Sequence, residues 1–154
     1  MNKYEIVASG KKWIGQGIRS TNHVINELID ESYEKILLTI FVVTDKEILN
    51  NIEAALKRKI EVDILINVDE NDLINENILK ELIKFKSEYE NLNLYKIIEE
   101  KIHAKIVIAD GKKLLIGSAN LTYHGLNKNY ELGILIEDSE VAYDVETIIK
   151  RLIE

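Results

Sequence analysis

The chain has 154 residues, 46% of them apolar and 31% charged, with no cysteine and no proline. That length suits a single domain, residues 1–154, with a real core and a solvated surface. The missing cysteines exclude disulfides, thiolate metal sites and a thiol nucleophile, and a net charge of −7 counts against a passive nucleic-acid coat protein, which is usually basic.

Tyr4–Ala8 reads as a short strand. Gly17–Ser32 follows as a helix, with Ile18, Ile25 and Ile29 at helical spacing. Lys35–Val43 (KILLTIFVV) is a near-continuous apolar run, expected for a strand covered on both faces. Asp45 is placed to cap a helix whose buried stripe is Ile48, Ile52, Ala55 and Leu56. Glu61–Asn67 is the next strand, then come a long helix over roughly Asn71–Tyr89 and a strand near Asn93–Ile98. Ile102–Ala109 and Lys112–Ser118 flank Asp110-Gly111, and Asp-Gly between two apolar runs signals a hairpin. Tyr130–Glu137 is a further strand. Ser139 is expected to cap a closing helix that turns Val141, Val145, Ile148, Ile149 and Leu152 inward. Helices and strands alternate early and strands cluster late, which predicts an α/β fold with a mixed central sheet and helices on its faces. The opening MNKYEIVASG lacks an apolar signal core, and no run approaches membrane-spanning length. A cytoplasmic location without a membrane partner is expected.

The chemistry concentrates in Lys101–Asn120, KIHAKIVIADGKKLLIGSAN. His103 and Lys105 would share one face of a strand, and Ser118 and Asn120 one face of a later segment. Lys101–Lys128 also holds five lysines against the single acid Asp110, a net +4, which leaves −11 for the rest of the chain. That is a local positive mouth on an acidic body, suited to a phosphate substrate. Attack on a phosphodiester needs a neutral imidazole nucleophile, cations on the phosphoryl oxygens and an acid for the leaving oxygen. Histidine titrates near neutrality and can serve as nucleophile or acid. Lysine supplies a compact cation and an asparagine amide supplies oriented donors. Ser118 can bond a phosphate oxygen or a neighbouring side chain.

The spacing His103-x-Lys105, Asp110 after four residues, then Gly117-Ser118-x-Asn120, resembles the H-x-K-x4-D-x6-G-S-x-N signature of the phospholipase D superfamily. Asn129-x-Glu131 is similar to the acidic position downstream in many bacterial members. Length and element order resemble the small, single-motif nuclease branch. Six fixed positions at fixed spacing are far more specific than a lone glycine-rich loop. The resemblance implies a phospholipase D-like fold, a phosphohistidine intermediate on His103, Lys105 and Asn120 on the phosphate, and a carboxylate, Glu131, fixing a histidine tautomer as in a catalytic triad. Asp110 is a catalytic candidate by the motif, yet Asp-Gly is also good turn chemistry. His124 reads as a solvated loop histidine, and His23 is assigned no role. Trp13 reads as partial core, with base stacking the lesser alternative.

The mechanism needs two histidines and the chain offers one motif. Resemblance to the single-motif branch implies a homodimer, with both copies of His103, Lys105, Ser118 and Asn120 in one pocket. No cofactor or metal is expected: there is no zinc spacing, no calcium loop, and Glu99 and Glu100, adjacent on a strand, would point to opposite faces. The leading reading is a metal-independent phosphodiesterase on nucleic acid, DNA rather than RNA, with little sequence specificity. The alternatives are a phospholipase D-type phosphatidyl hydrolase or transferase, and a non-catalytic dimerising or nucleic-acid-docking module. That module would serve a larger defence or repair complex, with a partner ATPase that the sequence does not identify.

Overall fold

The structure, a computed structural model, describes residues 3–69 and 75–154. The strands are β1 (Tyr4–Ser9), β2 (Arg19–Ser20), β3 (Lys35–Ile40), β4 (Glu61–Asn67), β5 (Leu92–Ile97), β6 (Lys105–Ala109), β7 (Lys113–Gly117) and β8 (Glu131–Glu137). The helices are α1 (Thr21–Glu31), α2 (Lys46–Lys57), α3 (Glu76–Glu88) and α4 (Ser139–Lys150). The strands form one eight-stranded mixed sheet in the order β2-β1-β8-β7-β6-β3-β4-β5. β3, β4 and β5 run parallel, as their helical crossovers require, and β6, β7 and β8 form an antiparallel meander.

The helices cover both faces, as the alternation of elements predicts. On one side α1, α2 and α3 press Val24, Ile29, Ile52, Leu56 and Leu82 onto the sheet. On the other, α4 packs Ala142 and Ile149 over Leu37, Ile108 and Leu114. Asp63 of β4, buried on this second face, binds Asn93 at 2.8 Å and Lys150 at 3.5 Å, tying α4 to the parallel strands. Asp45 caps α2 as expected, accepting from Glu47 N at 2.8 Å.

Several boundaries differ, each for a local reason. The first helix begins at Thr21 rather than Gly17, because Gly17 has φ +89 and Ser20 is the cap, accepting from His23 N at 3.1 Å. β3 stops at Ile40, and Val43 instead bridges Leu121, whose carbonyl takes the N–H groups of Thr44 and Asp45. Residues 71–74 of the third predicted helix lie outside the described residues, and α3 is described from Glu76. Asp138, not Ser139, caps α4, its carboxylate accepting from Glu140 N and Val141 N. Ile148 and Leu152, expected inside, are 57% and 40% exposed. The stripe facing the sheet is instead Ala142 and Ile149, with Val141 and Val145 partly buried.

Candidate active site

The site forms where β3 and β4 end and β6 begins. The sequence places His103 within a strand; the structure places it just before one, since β6 starts at Lys105. The cause is Thr39. Its hydroxyl accepts from Ile106 N at 2.9 Å and donates to Ala104 O at 2.6 Å, standing in for the backbone of β3. Asn67 acts in the same way at the end of β4. It donates to Ile102 O at 2.7 Å and accepts from Ile102 N at 3.0 Å. The chain between the clamps leaves the sheet and turns His103 out, exposed.

Despite this, the two side chains meet. Lys105 Nζ lies 2.8 Å from His103 Nδ1 and 3.1 Å from Nε2, so the ammonium donates to whichever nitrogen carries the lone pair. Phe41, just past β3, floors the pair, its ring centroid 4.7 Å from the imidazole and 5.3 Å from Nζ. Burial holds the Lys105 ammonium below the usual lysine range, and the negative charge of Glu131 partly opposes that shift.

Lys105 pairs with Gly117 across the hairpin, which brings the next element in. A Cβ on Gly117 would lie 3.0 Å from Leu132 O and 3.1 Å from Gly133 Cα, so the close approach of β7 to β8 needs a glycine. Beyond it, Ser118 donates from its hydroxyl to the Glu131 carboxylate and receives Leu132 N at 3.2 Å. Within one chain Glu131 thus holds Ser118, while the ring partners of His103 are Lys105 and Phe41. Asn120 joins Lys105 and Phe41 in the wall of a cavity of about 20 Å³, a size that admits one water. Its Oδ1 and the hydroxyl of Thr21, also on that wall, are buried without a hydrogen-bond partner among the described residues.

Asp110 lies elsewhere. It follows the far end of β6, about 17 Å along the strand from Lys105. Its carboxylate accepts from the backbone N–H groups of Tyr33, Glu34 and Lys35 at 3.2, 2.8 and 3.1 Å, fixing the entry to β3. Its own φ is +55. Asp110→Ala should therefore lower the unfolding free energy by about 2–3 kcal/mol, from stranded N–H groups and left-handed strain, with turnover per folded molecule unchanged. Urea denaturation alongside an activity assay checks both halves. His124 stands exposed in a π-helical turn, His124–Lys128, and His23 is exposed on α1. Glu99 and Glu100 lie beyond the end of β5 rather than on a strand.

Thr39, Asn67 and Phe41 are the residues that sequence reasoning missed. One signal was present: Thr39 is the polar interruption in KILLTIFVV.

The profile of the family described as "Cardiolipin synthase, PLD-like domain" matches residues 25–153. The chain belongs to the phospholipase D-like domain family. Among curated relatives, the DISARM protein DrmC of Bacillus paralicheniformis is 29% identical over 143 residues, 89% of this chain and 58% of that protein. Cardiolipin synthase A of Buchnera aphidicola subsp. Acyrthosiphon pisum (strain APS) is 26% identical over 140 residues, 88% of this chain and 27% of the synthase. This phospholipase D-like chain thus spans only part of the relatives it matches. Among solved structures, the phospholipase D family member Nuc of Salmonella typhimurium aligns with a TM-score of 0.72 at 22% identity, over 97% of this chain and 90% of Nuc. NucT of Helicobacter pylori aligns at 0.71 and 17% identity, over 97% and 96%. The archaeal chromatin protein TrmBL2, whose structure shows a novel mode of DNA binding, aligns at 0.69 and 19% identity, over 97% and 51%. These likenesses establish the phospholipase D-like fold. Among the described residues no helix is long and apolar enough to cross a membrane.

Proposed function

We propose that this phospholipase D-like protein is a phosphodiesterase that cleaves nucleic acid, DNA by preference, at a site shared by two copies of the chain. The observation that carries this reading is the contact of His103 with Lys105 at 2.8 Å on an open rim, beside Asn120 and the Ser118–Glu131 pair.

As the Lys105 ammonium moves from the ring to the phosphate oxygens, it frees the imidazole lone pair; neutral His103 of one copy then attacks phosphorus, forming a P–N bond as the P–O bond to the leaving group breaks. His103 of the second copy, protonated, gives its proton to that leaving oxygen. Now neutral, it takes a proton from water as the water oxygen attacks phosphorus and the P–N bond breaks, returning both rings to their starting states. Lys105 and Asn120 hold the non-bridging oxygens. Ser118 stands next to them with its one hydroxyl hydrogen given to Glu131, and so orders the wall of the site rather than donating to the phosphate. Asp110 supports the fold and takes no step.

A second copy is also supported by an uncovered apolar surface. α4 covers the row containing Leu114 and Ile136. The next row, Ile6–Ile134–Ile116, is left partly open, with Ile6 41% and Ile116 36% exposed. Leu132, 53% exposed, extends it to Ser118 at the site. An exposed apolar strip ending at a half-complete site suits a two-fold contact. Nucleic acid is supported by the likeness to TrmBL2 and by the positive segment around the motif. The likeness to cardiolipin synthase A supports a second reading, transfer of a phosphatidyl group, for which the same strip would face lipid.

The test is to incubate the protein with plasmid, with a chromogenic bis-phosphodiester and with phosphatidylglycerol vesicles, each with and without EDTA. The Lys105 ammonium supplies the positive charge at phosphorus, so cleavage of plasmid should survive the chelator. Loss in EDTA with recovery on adding magnesium or manganese would sink the mechanism. Turnover of lipid alone would favour the second reading, and no turnover at all would leave a docking module.

A further inference from the structure

The loops around the site carry charge unevenly. After β5 stand Glu99, Glu100 and Lys101, all exposed, a net charge of −1. After β1 come Lys11 and Lys12, exposed and in no ion pair among the described residues. Lys128, before β8, has its ammonium over the Tyr123 ring at 6.0 Å. A polyanion with its reacting phosphate at His103 is therefore repelled on the β5 side and attracted on the β1–β8 side.

Two aromatic rings are held on that attractive side. Trp13 is 44% exposed and Tyr130 47%, with centroids 5.0 Å apart at 64°. Trp13, expected as partial core, is thus packed on one side against Tyr130 and open on the other. The loop has a fixed shape: Trp13 N and Ile14 N both donate to Gly10 O, at 3.0 and 3.2 Å, and Gly15 and Ile18 exchange backbone bonds. A Cβ on Gly10 would sit 2.5 Å from Tyr130 Cδ1, so that ring rests on bare backbone. Such a loop, with φ of +97 at Gly10, +101 at Gly15 and +89 at Gly17, is built to hold a large apolar side chain in solvent. Its place is set by the sheet, for Ser9 pairs with Glu131, the carboxylate that holds Ser118.

Exposed aromatic faces flanked by lysines suit one ligand chemistry above others. An unpaired base offers its π face whatever its identity, whereas a base inside a duplex does not. We infer that Trp13 and Tyr130, with Lys11 and Lys12 on the flanking phosphates, form a stacking subsite for unpaired bases beside the reacting phosphate, which makes single-stranded nucleic acid the preferred substrate. This rests on the nucleic-acid reading of the site.

Trp13 is the only tryptophan in the chain, so its emission reports stacking directly. The His103→Ala protein, which should not cleave, is titrated with a thymidine oligonucleotide and with the duplex of the same length. Anisotropy of a labelled strand reads binding, and tryptophan emission with unlabelled strand reads stacking. The single strand should bind more tightly and quench Trp13; the duplex should quench little. Adding Trp13→Ala should weaken single-strand binding about tenfold and duplex binding by less than about twofold, while Trp13→Phe should restore most of the loss. Neutralising both lysines, Lys11→Gln with Lys12→Gln, should lower the slope of log K against log salt by about 1.4 for the single strand. Binding with unchanged emission, or equal losses on both ligands, would overturn the subsite alone. So would a Trp13→Ala chain whose sedimentation shows a changed oligomeric state, since the rings would then belong to a contact between copies. Failure of both nucleic acids to bind would overturn the subsite together with the functional reading beneath it.

Discussion

Replacing His103 by alanine should abolish turnover and leave the fold intact. The side chain is exposed, and its hydrogen-bond and ring partners among the described residues are Lys105 and Phe41. Its loss should cost less than about 1 kcal/mol of stability, read as an unchanged urea midpoint. Turnover should fall by about four orders of magnitude or more, because the attacking atom is gone and the remaining groups only bind. His103→Gln should be equally inactive, since an amide nitrogen cannot carry the phosphoryl group as imidazole does. Lys105→Arg should also lose most activity, because a planar guanidinium does not replace a compact ammonium in a site this close to Phe41 and His103. Acid-labile phosphate trapped on the wild-type chain would support the covalent step. Substantial turnover by the alanine variant would remove His103 from the scheme.

The second large effect concerns partnership. If one site needs His103 from two chains, a hybrid of wild-type and His103→Ala chains holds the attacker or the acid but not both. After full subunit exchange in an equal mixture, only about a quarter of dimers pair two wild-type chains. Activity at fixed total protein should therefore fall as the square of the wild-type fraction. A chain that worked alone would give a linear fall, to about half at equal mixing. Exchange is verified with differently tagged chains, and dimerisation of the variant by sedimentation. A linear titration with exchange proven would reject the shared site and direct attention to His124, in the turn following Asn120. Replacing Ile6 or Leu132 by a charged residue gives an independent view of the same question. On the apolar-strip reading, either change should dissociate the copies and remove activity together.

The two results separate chemistry from assembly. A dead alanine variant with a linear mixing curve would keep His103 as nucleophile and place the acid within one chain. A quadratic curve would mean that neither copy is an enzyme on its own, which fits a chain with a single motif and an open apolar strip beside it.

The amino-acid sequence by itself determined the alternation of elements, the helix cap at Asp45, the hairpin at Asp110-Gly111 and the residues of the motif. Each is a local property: a period of two or 3.6, a capping oxygen, a turn that tolerates φ +55 at Asp110. Local properties survive without knowledge of the rest of the chain. What only the tertiary structure decided came from contacts between residues far apart in sequence. His103 leaves the sheet because the hydroxyl of Thr39 and the amide of Asn67 replace ladder partners 65 and 35 residues away. Asp110 serves the backbone of residues 33–35 rather than the rim with His103, because β6 carries it to the opposite end of the sheet. Glu131 holds Ser118 because glycine at 117 lets β7 and β8 approach closely. Ile148 and Leu152 have helical spacing but stay exposed, since spacing says which residues share a face and not which face meets the sheet. Periodicity is written in neighbours along the chain; the choice of partner is made only when the sheet brings distant strands side by side.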